Sequence, residues 1–156
     1  MRDQNQQFAL QKLNFLVGSW VNSGNVTAGP FGSGGAISGS SVYSWNINKT
    51  WLMYKSELNL PGFGEYEVTG GVSFDSKRSC YIAFAANSMG NLLIYDGNWE
   101  DNSSLVLMQV FPLPGGLTRV RYQKSNDSTI RMFSDRKSEA GNFETYFETI
   151  LKPNAP

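Results

Sequence analysis

From Ser19 onward the sequence is a succession of short stretches in which β-branched and aromatic residues alternate with polar ones, each closed by Gly, Asn, Asp, Ser or Pro. The stretches span residues 19–26, 36–47, 51–60, 65–75, 79–88, 91–99, 104–111, 117–124, 128–134 and 143–152. Between them lie short turn formers: Asn48-Lys49, Pro61-Gly62-Phe63-Gly64, Asp75-Ser76-Lys77-Arg78, Asn87-Ser88-Met89-Gly90, Pro112 to Gly116, and Ser125-Asn126-Asp127. Links this short join antiparallel neighbours, so the strands form a meander. An open meander has two raw edges, and rolling the sheet shut removes both. The expected fold is all-β: a closed antiparallel up-and-down barrel of about ten strands, one domain over residues 1–156. A β-sandwich satisfies the same strand count and stays open as the competitor.

The alternation also assigns faces. In 65–75, Tyr66, Val68, Val72 and Phe74 share one side, while Glu65, Glu67, Thr69 and Ser73 share the other. Val120 and Tyr122 oppose Arg119, Arg121 and Gln123, which puts both arginines outside. Leu92-Leu93-Ile94-Tyr95 is apolar on both faces, so its outer side is expected to be covered or to meet a partner. The segment 143–152 also fits a helical stripe, through Phe143, Tyr146, Phe147, Ile150 and Leu151, but its Phe, Thr, Tyr and Ile content favours a strand. Ahead of the strands, Asp3 followed by Gln6 has the spacing of a capping box, and Phe8, Leu13 and Leu16 follow at helical intervals. Residues 4–16 are expected to form one short amphipathic helix.

Composition removes much of the usual chemistry. The 156 residues include no histidine and one cysteine, Cys80, so triads, imidazole bases, His-ligated haem, common zinc sites and an internal disulfide are all excluded. Thirteen basic residues balance thirteen acidic ones, and a chain without surplus cation is a poor match for nucleic acid. Tyr81 to Ala86 is the longest apolar run, far short of the roughly 18 residues of a membrane helix. The opening residues Met1 to Gln7 lack the apolar stretch of a leader, which makes the cytoplasm the expected compartment; removal of a leader would make it periplasmic or secreted.

Several motifs have bland readings. Gly29-Pro30-Phe31-Gly32-Ser33-Gly34-Gly35 lacks the Gly-Lys-Ser ending of a phosphate loop and reads as a plain loop. Asp96 to Asn102 lacks the glycine and the terminal glutamate of a calcium loop and reads as an acidic hairpin. Cys80 reads as a buried small hydrophobe, and the pairs Glu65/Glu67 and Glu144/Glu148 as surface charge. No metal or cofactor is expected. The surplus lies in the aromatic residues Tyr43, Trp45, Trp51, Tyr54, Tyr66, Tyr81, Tyr95, Trp99, Tyr122 and Tyr146. Inside a barrel they either line a ligand pocket or fill the bore.

Gly18-Ser19-Trp20, at the junction of helix and first strand, resembles the G-x-W signature of lipocalin and fatty-acid-binding barrels. More widely, Leu13-Asn14-Phe15-Leu16-Val17-Gly18-Ser19-Trp20, Phe74-Asp75-Ser76-Lys77-Arg78-Ser79-Cys80-Tyr81 and Asn87-Ser88-Met89-Gly90-Asn91 resemble an uncharacterised bacterial lipocalin-like family. Phe74 stands where that pattern has Tyr and Asn87 where it has Asp, which takes away one acid. The resemblance implies a calycin-type barrel in which Gly18 and Trp20 seal one end and a basic residue, Arg131 or Lys152, covers the tryptophan. The related nitrobindin-like barrels hold haem through histidine, which this chain lacks.

The expected function is non-catalytic binding of a small hydrophobic or amphipathic molecule. The expected ligand residues are Tyr43, Trp45, Tyr54, Tyr66, Val68, Phe84, Tyr95, Tyr122, Arg131 and Tyr146. An inward Arg131 beside Tyr146 would suit a carboxylate head group. Two rivals remain: an enzyme using a desolvated Tyr, Asp96 or Glu144, and an interaction module that dimerises through the Leu92–Ile94 strand. The expected state is a monomer or homodimer.

Overall fold

A computed structural model describes residues 3–29, 33–111 and 116–155. Residues 30–32 of the glycine-rich stretch and 112–115 of the Pro112 to Gly116 turn lie outside the described residues. The chain opens with helix α1 (Gln4–Gln11), continues as a 3-10 segment (Lys12–Leu16) and then forms ten strands. These are β1 (Gly18–Val26), β2 (Gly35–Trp45), β3 (Leu52–Leu60), β4 (Gly64–Asp75), β5 (Cys80–Asn87), β6 (Leu92–Trp99), β7 (Ser104–Gln109), β8 (Thr118–Lys124), β9 (Ile130–Lys137) and β10 (Phe143–Pro153). Every strand pairs with its sequence neighbours, and β1 pairs antiparallel with β10 from Trp20↔Pro153 to Val26↔Phe147. The sheet is therefore a closed up-and-down barrel, and the sandwich is ruled out.

Asx side chains set the hairpins. Asp75, Asn87, Asp101 and Asp127 each turn a carboxylate or amide oxygen back to accept backbone N–H groups two to four residues on. Asn46 does the same for Thr50 and Trp51, ending β2 at Trp45, two residues before the expected boundary. Gly90, at φ +82°, completes the Asn87 turn with a conformation that side chains resist. Asn87 performs this capping as a neutral amide.

The expected helix is two elements. Leu10, Leu13 and Leu16 recur every third residue, a spacing that stacks side chains on one face of a 3-10 turn, and none is more than 3% exposed. They close one end of the barrel against Trp20, Leu52, Tyr81, Leu105 and Leu151. Burial of such a leucine contributes about 2 kcal/mol. Phe8, counted in the expected apolar stripe, is 66% exposed. Asp3 caps α1 through Asn5, but Gln6 reaches across to the Phe74 carbonyl rather than back to Asp3, so the capping box is only half formed.

The helical carbonyls find partners in the barrel wall. The Trp20 indole N–H donates to Leu16 O at 2.8 Å and the Tyr81 hydroxyl to Ala9 O at 2.8 Å, satisfying groups that the helix ends cannot. Trp45 donates to Asn14 Oδ1 at 2.9 Å from the rim. The basic residues of this end, Lys12 and Lys124, lie over Trp99 rather than over Trp20. Lys152 is exposed and Arg131 is paired with Glu148, so neither is placed as the expected cover.

Closure also depends on glycine. A Cβ at Gly24 in β1 would stand 1.9 Å from the Glu148 carbonyl oxygen of β10, across the closing seam. Gly24→Ala is expected to lower stability by about 2 kcal/mol, because the atom in the way is backbone and cannot swing aside. Urea titration measures it, and a cost below a few tenths would show that the seam relaxes freely.

Candidate functional site

β1 to β10 turn alternate residues inward, and those inward residues leave a cavity of about 110 Å³. Its wall carries Tyr54, Tyr66, Tyr95, Tyr122 and Tyr146, with Tyr43, Val68, Ala85, Leu93 and Met132 between them. Seven of the ten expected ligand residues meet here: Tyr43, Tyr54, Tyr66, Val68, Tyr95, Tyr122 and Tyr146. Tyr43 and Tyr54 are cross-strand partners whose rings stack with centroids 5.1 Å apart, and the Tyr43 and Tyr122 hydroxyls lie 3.3 Å apart. The Tyr54 ring also lies over its other cross-strand partner, Gly70, where a Cβ would come within 2.5 Å of it. The glycine is thus the space into which the ring lies.

Three expected residues are elsewhere. Trp45 is held at the rim by Asn14, outside the cavity wall. Phe84 packs on the outer face of the barrel against Trp51, centroids 5.7 Å apart, in the dent that Gly71 leaves. Arg131 is also outside, ion-paired with Glu148 and stacked over Phe133, so no carboxylate head group meets it in the bore. Strand parity separates the last two: Ala83 and Ala85 take the inward positions around Phe84, and Met132 faces the cavity where Arg131 cannot, whereas Trp45 shares the inward parity of Tyr43 and packs on the core beyond the cavity. The remaining aromatic residues are structural. Tyr81 and Trp99 pack at the helical end and Trp51 on the outer wall.

Two features escape the alternation reading. The first is a bulge in β10: Thr145 pairs with Asp135 and Phe147 with Ser134, leaving Tyr146 as an extra residue. Consecutive aromatics, Tyr146 and Phe147, thereby both reach the lumen. The bulge puts two members of the apparent helical stripe side by side on the inner face, while Phe143 and Ile150 lie outside. The second is a polar ladder across β1, β2 and β3. The Asn22 amide donates to Ser41 Oγ at 2.9 Å, and Ser41 and Ser56 hydroxyls lie 2.7 Å apart. Asn22 is 3% exposed, and its Oδ1 has no partner. Only its parity with Trp20, two residues earlier in β1, could have revealed it as inward.

Electrostatically the bore is neutral. Among the described residues, no charged side chain lines the cavity. Burial raises the pKa of Tyr43, Tyr54, Tyr95 and Tyr122, and pushes that of Tyr66 up to about 12. Polar neighbours, Asn87 for Tyr66 and Thr118 for Tyr95, moderate the rise without reversing it. The ring hydroxyls therefore stay protonated and act as hydrogen-bonding groups. At the end of the barrel away from the helix, the Arg136 guanidinium sits 5.1 Å from the centre of the Tyr146 ring.

The other motifs resolve as structure. Asp96 pairs with Arg78 and Asp101 caps its own turn, while no cluster of metal-ligating side chains occurs among the described residues. Cys80 is partly buried, and that burial pushes its thiol pKa up, away from nucleophilic reactivity. Glu65 and Glu67 lie outside the bore, and Lys55 bridges Glu57 and Glu67 at 2.7 and 3.1 Å. No helix among the described residues is long and apolar enough to cross a membrane.

A family of unknown function, DUF1579, matches residues 5–152. The chain belongs to the DUF1579 family. No curated protein matches it. Among solved structures, this DUF1579 barrel is similar to Rv2717c from M. tuberculosis, at 17% identity and a TM-score of 0.69, covering 94% of this chain and 98% of that one. At that identity the likeness concerns the fold alone.

Proposed function

We propose that this DUF1579 barrel is a non-catalytic binding protein for a small hydrophobic or amphipathic molecule held in the lumen. The observation that supports it is a residual cavity of about 110 Å³ walled by tyrosine and aliphatic side chains. A bore packed only for stability would close such a void, since each one costs contacts. The volume sets the scale of the occupant. An engineered apolar cavity of about 150 Å³ holds one benzene, so the lumen as it stands, at about 110 Å³, takes at most one small ring and is well short of a long acyl chain. Binding is a better reading than acid-base catalysis because the lumen's ionisable groups are tyrosines held in the protonated form.

Toluene at millimolar concentration is expected to raise the thermal midpoint saturably, as a ligand of the native state must. Val68→Phe, which fills the lumen, is expected to leave the barrel folded and to remove that response. Absence of any shift, together with no small molecule released on extraction of freshly purified protein, would overturn the proposal.

A further inference from the structure

Resting on the lumen-binding reading above, we infer that Asn22 is the specificity residue of the cavity, and that the ligand is an uncharged ring-sized molecule carrying an O–H or N–H donor. Asn22 is 3% exposed, lines the cavity and spends its amide N–H on Ser41. Its carbonyl oxygen is buried without a partner. An unpartnered buried acceptor is costly, and the carbonyl of a buried asparagine is one of the stronger neutral acceptors a side chain offers. That oxygen has almost no accessible surface, so a ligand donor reaches it by displacing the side chains that cover it, and recovers the loss on doing so. A hydrocarbon of the same shape does not.

The surroundings define the rest of the ligand. Ser41 and Ser56 continue the ladder and hold the amide in one orientation. The stacked Tyr43 and Tyr54 rings and Val68 offer flat and aliphatic surface to a ring. With no cation on the cavity wall among the described residues, a carboxylate would enter unpaired. The chemistry that fits is that of a phenol or a similarly small neutral donor.

Phenol and toluene, nearly equal in size, test this by titration of amide spectra of the full chain. Phenol is expected to bind at least tenfold more tightly than toluene and to shift the Asn22 side-chain N–H₂ resonances, which toluene leaves in place. In Asn22→Leu the preference is expected to vanish while toluene still binds. Because this variant removes an unsatisfied buried group, its thermal midpoint is expected not to fall, whereas a purely structural Asn22 would lower it. Should the variant fail to fold, the wild-type ratio and the Asn22 resonances decide. Equal affinity for the two probes would overturn the assignment of Asn22 and leave the lumen reading intact. Binding of neither would remove both. Tighter binding of benzoate than of phenol would also overturn it, in favour of an anion site near Arg136.

Discussion

Replacement of Asp135 by alanine is expected to destabilise the barrel by about 3 kcal/mol, the largest effect of any single outer-face substitution. Asp135 projects from β9 on the side away from the lumen, yet it is only 1% exposed. Arg119 Nε lies 2.7 Å and Arg121 Nε 2.6 Å from one carboxylate oxygen, while Arg121 Nη2 at 3.1 Å and the Thr145 hydroxyl at 2.7 Å reach the other. Four donors fill the capacity of a carboxylate. The two guanidiniums that cover it also lie over rings, Arg119 over Phe143 at 4.2 Å and Arg121 over Phe133 at 4.3 Å. Removal of the anion leaves both cations facing each other without their shared counterion. Breaking a buried pair costs about 3–5 kcal/mol; the lower end applies because the arginines retain 24% and 28% side-chain exposure and can turn to water.

The same cluster sets an acid limb. Burial alone would raise the Asp135 pKa, but the hydrogen bonds from Arg121, Arg119 and Thr145 outweigh it and hold the carboxyl below the usual carboxylate range. Its stabilisation is therefore present above the unfolded value near 3.9 and is lost as pH falls through the lower folded value. Urea titrations at pH 7 and pH 3 are expected to show a smaller loss at low pH in Asp135→Ala than in the parent. The exposed Arg131–Glu148 pair is the control, with a cost of about 0–1 kcal/mol. A cost for Asp135→Ala no greater than this control would contradict the account.

At the other extreme, alkali is expected to unfold the barrel within about one to three pH units above the ordinary tyrosine value near 10. Tyr43, Tyr95 and Tyr122 are each less than 8% exposed, and burial raises the pKa of all three. A raised folded pKa means that their contribution is complete below the unfolded value and is lost as pH rises through the folded one. In between, each protonated tyrosine costs about 1.4 kcal/mol per pH unit relative to the unfolded chain, about 4 kcal/mol per unit for the three. Tyrosinate absorbance and far-ultraviolet circular dichroism should then change together in one cooperative step. Gradual ionisation at pH 10 in a still-folded barrel would show that the lumen admits hydroxide and that these rings are wet.

Legibility followed the range of the interactions. Most strand boundaries are readable because turn formers and period-two alternation are local: the ends of β1, β3, β4, β5, β6, β8 and β10 lie within one residue of those read from the sequence, whereas β9, expected at 128–134, runs Ile130–Lys137. Tyr66, Val68 and Tyr122 follow from the same parity, whereas Tyr43, Tyr54, Tyr95 and Tyr146 follow only from the surplus of aromatic residues. Arg119 and Arg121 were correctly placed outside, but nothing nearby in the chain shows that Asp135, 14 and 16 residues on, would draw them into one cluster. Arg131, whose direction the sequence reading leaves conditional, lies outside because it alternates with Met132, which faces the lumen. Phe84 lies on the outer wall, where an aromatic ring is equally at home under Trp51 and beside Gly71, and Trp45 keeps the inward parity of Tyr43 but sits at the helical rim, beyond the cavity.

The sequence by itself determined that the chain is all-β, roughly where its ten strands lie, which way most side chains point, and that neither imidazole nor internal disulfide chemistry is available. Tertiary structure decided that β1 closes on β10, that Tyr146 bulges inward, that a small void survives among the tyrosines, and that one oxygen of Asn22 is left without a partner. The division has one physical reason. Backbone conformation and parity are written in neighbouring residues, whereas a cavity and its unmet hydrogen bond exist only where strands far apart in the chain fail to fill the space between them.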